Sequence, residues 1–456
     1  MKLKTVAAAV LCGALLAGAA GCDITDLSSE NMLRPPKTMG DEAEIEQLIA
    51  KNASKGYTLK YPKNGNYRSA IIMHDLNGDN VDESIAFFRD KDSATGVHML
   101  VMYEQDGKWK ASDDFVTDTT DVDCVDFADI NGSGSLEVIV GYATYTANLN
   151  FLSAYSFENG KIGEIESGQN YSAFYCGNLD NSGKAKVITL TLFSPEIEAK
   201  ATLLEYSDSK KALYAKASAA MDPGVVSYKN VVFSDINDNT KGIFVDGVLS
   251  NKEMNTQVVY FNKSLNVLRN PLYKEKTDNP TRRSGDVVCS DVGNDMKYEI
   301  PTVTAMPYQQ NSNAFSAAQQ LAWNSFSVEK EALVPIQLTA ANYSFGYTIK
   351  IPDTWLAGTY TALLNKSGDL MSFFTWDKNL GAGTQLFDVK VFKVSDWDSG
   401  KGIDKYTLIY KDNRYAYAFI NYHTDSLLTM SDDEIKTAFS LLGGTAATPK
   451  QNGNGN

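Results

Sequence analysis

The sequence predicts a mainly β protein: a five- to six-bladed β-propeller followed by a small α+β domain. Two observations lead to this prediction. A nine-residue acidic turn, Asp75–Glu83, lies between two apolar, strand-like runs, and similar turns begin at Asp129, Asn178, Asp235 and Asp291. Their starts are 54, 49, 57 and 56 residues apart. Such a period indicates one supersecondary unit repeated along the chain.

Each repeat has the pattern of four short antiparallel strands, which is the content of one propeller blade. In the first repeat the strands are predicted at 70–73, 85–88, 99–103 and 108–111. Asp106-Gly107 is the hairpin signal between the last two. A four-stranded sheet cannot bury both faces alone, so blades must pack against one another. We count five blades over 57–338 and allow a sixth, because 316–338 fits either the fifth blade or a remnant.

The turns also carry a family resemblance. Their pattern is strong in Asp75–Glu83 and Asp129–Glu137, weaker in the later copies, and resembles FG-GAP/VCBS-type repeats over roughly residues 65–310. The resemblance implies blades like those of integrin-like propellers and many bacterial surface proteins. The segments at 33–37 and 59–62 look like those of uncharacterised clostridial-type surface lipoproteins, a likeness that implies no known activity.

By resemblance to this family, the first turn presents calcium ligands at its positions one, three, five, seven and nine. These are the side chains of Asp75, Asn77, Asp79 and Glu83 and the carbonyl group of Val81. Calcium is a hard cation that takes several oxygen ligands, so the residue types suit it. The alternative is an Asx turn, whose side chains only accept backbone N–H groups. We predict one calcium site, in this turn.

The later turns lose the ligand pattern. Ser133 stands at position five of the second turn, and Gly293 at position three of the fifth. The third turn has Lys186 at position nine, which would repel a cation, and the fourth has Ile243 there. A turn that mainly closes a hairpin can lose ligands and keep its shape. We therefore expect no calcium in the third and fourth turns.

The N-terminus predicts the cellular address. Residues 1–21 combine a basic start, an apolar stretch and a small-residue junction, as in a secretory signal. The run Ala19-Ala-Gly-Cys22 resembles the bacterial lipobox, which implies lipidation of Cys22; an ordinary cleaved signal is the alternative. Residues 22–40 have the composition of a tether. We expect a protein on the outer face of the bacterial cytoplasmic membrane, held there by its lipid anchor only.

Periodicity and composition assign the remaining segments. A helix is predicted over 41–56, an α+β domain over 339–444, and a tail rich in Asn, Gly and Thr over 445–456. Ser431 and Glu434 form a capping box at the start of the closing helix. The apolar face of that helix contains Ile435, Ala438, Phe439 and Leu442.

Charge and missing motifs limit the function. After residue 21 the chain carries 40 basic and 56 acidic side chains, a balance that argues against a nucleic-acid partner. The three histidines, His74, His98 and His423, do not have the spacing of metal ligands, and no Gly-x-Ser-x-Gly, His-Glu-x-x-His or phosphate-loop motif occurs. We expect a protein that is not an enzyme. It would bind an extracellular protein or glycan through propeller loops.

Two other functions stay open at this point. One is an envelope hydrolase or lyase with an acidic site at the propeller channel, and the other is a structural or assembly scaffold at the membrane. Trp376 and Trp397 lie beside Asp residues in predicted loops and are candidates for exposed contacts with a sugar or peptide. Cys124, Cys176 and Cys289 are expected to be free thiols inside the blades.

Overall fold

The computed structural model describes residues 39–53, 56–93, 96–144, 149–284, 287–304, 306–308 and 315–442. The predicted signal segment, Cys22, the tether up to residue 38 and the tail lie outside these ranges. No helix in the described ranges is long and apolar enough to cross a membrane.

The structure confirms the predicted mainly β class, with strands arranged in propeller blades and a further sheet. The first blade holds β1 (Tyr57–Leu59), β2 (Ile71–His74), β3 (Glu83–Asp90), β4 (Val97–Gln105), β5 (Lys108–Ala111) and β6 (Phe115–Thr117). The second holds β7 (Asp121–Ala128), β8 (Glu137–Ala143), β9 (Asn150–Glu158) and β10 (Lys161–Tyr171). The third holds β11 (Ala173–Gly177), β12 (Lys186–Thr191), β13 (Lys200–Ser207) and β14 (Ala212–Ala220).

The fourth blade holds β15 (Val225–Asn237), β16 (Thr240–Leu249), β17 (Met254–Asn262) and β18 (Val267–Arg269). The fifth holds β19 (Ile300–Thr304), β21 (Gln319–Ser327), β22 (Ala332–Asn342), β23 (Tyr347–Lys350) and β29 (Phe439–Leu441). The sixth sheet holds β20 (Phe315–Ala317), β24 (Tyr360–Asn365), β25 (Leu370–Asp377), β26 (Gly381–Lys393), β27 (Thr407–Lys411) and β28 (Tyr415–Asn421). The helices are α1 (Met39–Asn52), α2 (Val394–Asp398) and α3 (Asp432–Ala438).

Apolar side chains fill the space between successive blades, as a repeat whose two faces are both apolar requires. Phe87 and Val101 of the first blade share a cluster with Val140 and Tyr155 of the second. Similar clusters join the second blade to the third, the third to the fourth and the fourth to the fifth. The core of the protein is thus a series of interfaces between sheets.

The outer faces of the first and fifth blades are covered by elements that are not blades. Ile45 and Ile49 of α1 pack on Phe88 of the first blade. At the other end, Tyr347 of the fifth blade shares a cluster with Phe387 of the sixth sheet. These two covers bury the apolar faces at which the series of blades begins and ends.

The fourth repeat departs from its prediction. The segment Asp235–Ile243 does not form a nine-residue turn, because β15 runs to Asn237 and β16 resumes at Thr240. The connection is a tight hairpin through Asp238 and Asn239. Thr240 stands where the other turns need a left-handed residue, and a β-branched side chain disfavours that conformation. The strands therefore stay paired to their ends.

The structure differs from the C-terminal prediction at two points. Ser431 and Glu434 form the predicted capping box, but the helix ends at Ala438. Phe439 begins β29, which pairs with β23 of the fifth blade. A strand partner for the last apolar residues thus replaces the final helical turn. The predicted domain boundary at 338/339 falls inside β22, so the fifth blade extends beyond it.

Candidate functional site

The turns of the first, second, third and fifth repeats share one backbone conformation. The fourth residue of each turn has a positive φ, at Gly78, Gly132, Asn181 and Asn294. The sixth residue does too, at Asn80, Gly134, Gly183 and Met296. Gly and Asn are the residues that tolerate the left-handed region, so the sequence suits the turn at every such position except Met296.

A buried carboxylate at position nine closes three of these turns. It accepts the backbone N–H of position two: Glu83 from Leu76 at 2.8 Å, Glu137 from Ile130 at 2.9 Å, and Glu299 from Val292 at 2.9 Å. Burial raises the pKa of all three carboxyl groups, to about 7 for Glu137. The acid at position nine therefore has a structural partner inside its own turn.

The predicted calcium ligands of the first turn lie in a hydrogen-bonded network. The carboxylate of Asp75 accepts the N–H of Gly78 at 2.7 Å and the N–H of Asn80 at 2.8 Å. The side-chain oxygens of Asn77 and Asp79 accept the N–H groups two residues further on, at 2.9 and 2.8 Å. This is the Asx-turn arrangement that the sequence left open as the alternative.

The side-chain oxygens of the first turn are of the kind that a calcium ion binds. The turn is also closed by its own hydrogen bonds. The side-chain amide of Asn77 donates to Glu83 at 2.8 Å, so position three already contacts position nine. In the described parts of the chain, no three His, Cys, Asp or Glu side chains form a group that could hold a metal ion. Calcium binding by Asp75, Asn77, Asp79, Val81 and Glu83 stays a prediction.

Hydrogen bonds join the turns of neighbouring blades to one another. The N–H of Leu136 in the second turn donates to the carbonyl of Leu76 in the first, at 2.7 Å. The N–H of Ala185 in the third turn donates to the carbonyl of Asp129 in the second, at 2.8 Å. Further along, Lys297 forms a parallel bridge with Asp235. The turns thus form a connected edge of the molecule, the turn edge.

A groove opens on the turn edge between the first and second blades. The strands of a blade are antiparallel, so its first turn and its last hairpin lie at the same edge. The groove has a volume of about 770 Å³. It is lined by Asn77, Asp79, Val81, Glu83, Tyr103, Glu104, Gln105, Asp106, Ser133, Ser135, Phe157, Glu158, Asn159 and Gly160. We call it the acidic groove, because five of these residues are acids and none is Lys or Arg.

Two aromatic rings line the acidic groove together with its carboxylates. The ring of Tyr103 lies 5.6 Å from that of Phe157, each on a different blade. Glycine at position 160 permits this packing, because a Cβ there would lie 2.3 Å from the hydroxyl oxygen of Tyr103. Glu104, Asp106 and Glu158 are exposed to solvent. The groove therefore offers both negative charge and apolar contact.

Two other grooves carry mixed charge. One, of about 570 Å³, lies beside the third turn and is lined by three lysines and two acids. The other, of about 600 Å³, lies beside the hairpin of the fifth blade, where Arg269 pairs with Glu331 at 2.6 Å. Neither has the single sign of charge that distinguishes the acidic groove.

The acids of β7 have partners of their own. Asp121 contacts the ammonium groups of Lys60 at 2.6 Å and Lys63 at 3.2 Å. Burial raises the pKa of Asp121, but hydrogen bonds from these lysines outweigh it and hold the pKa below its ordinary value. Asp123 accepts the hydroxyl of Tyr171 at 2.7 Å and the side-chain amide of Asn64 at 2.8 Å. These contacts fix the segment near residue 63 and β10 to β7.

The histidines and tryptophans singled out in the sequence do not meet in one place. The ring of His74 packs at a tilt against Phe127, with 4.2 Å between the ring centres, and that of His98 hydrogen-bonds with Asp114 at 2.7 Å. Trp376 belongs to β25 and Trp397 to α2, and both are half-buried.

The three described cysteines are free thiols. Burial raises the pKa of each, so none has the character of a reactive thiolate.

The sequence did not reveal the acidic groove, because its wall comes from two repeats. Tyr103 and Phe157 occupy equivalent hairpins, and Asp106-Gly107 and Asn159-Gly160 mark those hairpins in the sequence. Each hairpin could therefore be predicted from its own repeat. The groove between them could be recognised only from the packing of the two blades.

Comparisons with known proteins give structural similarities of low score. No protein-family model and no curated protein matches the chain. Similar solved structures include the Dos1 propeller, with a TM-score of 0.30 and 12% identity over 73% of each chain. The exotype rhamnogalacturonan lyase YesX has a TM-score of 0.27 and 10% identity over 81% of this chain and 91% of that one. A protein from Lactobacillus plantarum has a TM-score of 0.28 and 12% identity over 71% and 85%.

Proposed function

We propose that this chain is a bacterial surface lipoprotein of the FG-GAP/VCBS type that binds an extracellular protein or glycan without turning it over. The acidic groove on the turn edge is its contact site. The observation that carries the proposal is the groove itself: five acids, two aromatic rings and no basic side chain between two rigidly packed blades. Loops held by a rigid scaffold are the usual place for binding residues.

The lining of the acidic groove defines the chemistry of its partner. Exposed carboxylates of one sign attract cations and steer them into a cleft. The half-buried ring of Tyr103 adds apolar area and a face for an ammonium or guanidinium group, and the buried ring of Phe157 supports it from the second blade. A basic segment of a protein and an amino-sugar glycan both carry such groups. A polyanionic partner, such as nucleic acid, would be repelled.

The arrangement of the carboxylates supports binding rather than catalysis. Glu83, the deepest acid of the groove, is held by Leu76 and Asn77 within its own turn. Glu104 and Asp106 belong to an exposed hairpin that is open to solvent and to an approaching partner.

The proposal is tested by capturing partners from the extracellular and cell-wall fractions of the source bacterium. The wild-type protein should retain specific material, and the variant Glu104→Gln/Asp106→Asn should retain at least tenfold less at the same salt concentration. Glu275→Gln, in the groove of mixed charge near Arg269, is the matched control and should behave as wild type. Equal retention by all three proteins, or release of the captured material as cleaved products, would contradict the proposal.

A further inference from the structure

The third turn contains a buried ammonium group in place of the carboxylate found in the other turns. Lys186, at position nine, is 3% exposed. Its Nζ lies 2.9 Å from Glu205 of β13, 3.3 Å from the hydroxyl of Ser182 and 3.7 Å from the carboxylate of Asp180. Ser182 and Asp180 are positions five and three of the turn. The lysine thus places a positive charge among three oxygen ligands.

The donor and acceptor at positions three and nine are exchanged between the turns. In the first and second turns an amide donor at position three, Asn77 or Asn131, contacts a carboxylate at position nine, Glu83 or Glu137. In the third turn the carboxylate is at position three and the cationic donor at position nine. The contact between positions three and nine is thus present in all three turns, although its donor and acceptor change places. It is therefore a feature of the turn and does not depend on Lys186 alone.

The oxygens around Lys186 are held in place independently of it. Glu205 also pairs with Lys216 at 3.0 Å and accepts the hydroxyl of Tyr214 at 2.8 Å. Asp180 accepts the N–H of Ser182 at 3.1 Å, as an Asx turn does. Burial raises the pKa of Glu205, but hydrogen bonds from Lys186, Tyr214 and Lys216 outweigh it and lower the pKa to about 2. A preformed cluster of this kind would persist if the ammonium were removed.

We propose that the third turn is a cation site that the chain fills with its own Lys186 ammonium, and that the emptied site takes a small primary ammonium ion. Primary ammonium is the matching class because its N–H groups can donate to Glu205 and Ser182, which lie 2.9 and 3.3 Å from Nζ, while its charge faces the carboxylate of Asp180 at 3.7 Å. The tethered cation cannot dissociate. The third blade therefore keeps its turn closed whatever ions surround the protein.

The test is chemical rescue of Lys186→Ala, which removes the ammonium and most of its stem. The variant should melt several degrees below wild type, because Asp180 loses its cation in a largely buried place. Added propylammonium chloride should raise its melting temperature saturably and leave that of wild type unchanged. Tetramethylammonium, which has the charge but no N–H donor, should have no such effect.

Two further variants keep the test decisive. Lys186→Met retains the apolar stem, so it should lose stability and gain nothing from propylammonium. Lys216→Ala removes the more exposed partner of Glu205 and should show no rescue. If Lys186→Met melts with wild type, the charge is not needed and the proposal is wrong. It is also wrong if folded Lys186→Ala responds to propylammonium no more than to tetramethylammonium.

Discussion

Glu137 illustrates how a single buried carboxyl group links the turn to pH. It is 1% exposed, and burial raises its pKa from 4.5 to about 7. Between these two values the folded state binds a proton that the unfolded state releases. The unfolding free energy therefore rises as the pH falls through about 7, and the gain is complete near 4.5. Above pH 7 the burial penalty on the charged form is fully present.

The resulting prediction concerns Glu137→Gln, which cannot titrate. Urea unfolding at pH 8 and pH 5 should show wild type gaining on the order of 2 kcal/mol from this group at the lower pH. In Glu137→Gln this part of the increase in unfolding free energy should be missing, while the contributions of Glu83 and Glu299 remain. An identical difference between the two pH values in both proteins would show that Glu137 does not titrate in this range.

Met296 is the residue that suits its turn least. It has a φ of 65° at position six, where the other turns have Gly or Asn, and its side chain is 84% exposed. Replacing it with glycine removes backbone strain and sacrifices almost no packing. Met296→Gly should therefore raise the unfolding free energy by roughly 1 kcal/mol, measured by denaturant unfolding. Asn80→Gly, at the equivalent position of the first turn, is the control and should gain less.

At the scale of the element, the first turn is where calcium is expected to act. An ion that binds only the folded state stabilises it by about 1–3 kcal/mol when present at ten to a hundred times its dissociation constant. The melting temperature of wild type should rise with millimolar calcium, and the rise should vanish in Asp79→Ala. Lys186→Glu should not create a comparable site in the third turn, because position one there is Asn178.

Either outcome has a clear physical meaning. Calcium would compete with the side-chain amide of Asn77 for the carboxylate of Glu83. If calcium leaves the melting temperature unchanged and calorimetry detects no binding, the hydrogen bonds within the turn are sufficient to close it.

The turns also show which parts of an element a sequence can predict. Gly and Asn at positions four and six follow directly from the backbone that the turn needs, so the shape of the turn could be predicted from single residues. The hairpin at Asp238 could not, because Asp235, Asn237 and Asn239 keep the spacing of the other turns although Thr240 replaces the left-handed residue at position six. The partner of Lys186 was equally hidden, since Glu205 lies on the next strand.

For the whole molecule, the repeat period was enough to predict blades, but not how their series begins and ends. The cover of α1 could be expected because Ile45 and Ile49 are four residues apart and therefore lie on one face of the predicted helix. The return of the chain to the fifth blade through β29 depends on a pairing over nearly a hundred residues, which local patterns do not encode. The acidic groove was missed for the same reason: it exists only between two repeats.

The predicted cellular location of the protein can be tested by substituting Cys22. Because a second acyl chain turns marginal membrane binding into durable binding, a lipidated Cys22 should keep the protein in the membrane fraction. Cys22→Ala should release it into the medium or leave it unprocessed, as judged by fractionation and mass spectrometry of the N-terminus. Wild-type protein that is fully soluble with an unmodified N-terminus would contradict the predicted lipid anchor.

The central claim is that the acidic groove binds a cationic partner, and calorimetric titration with defined oligomers tests it most directly. Pentalysine represents a basic protein segment, and a chitosan hexamer represents an amino-sugar glycan, with its N-acetylated form as the neutral control. We expect one of the two cationic oligomers to bind the wild-type protein, with an affinity that decreases as the salt concentration rises. The affinity should be at least tenfold lower in Glu104→Gln/Asp106→Asn. Binding that is equal in the variant, or absent for both cationic oligomers, would contradict the claim.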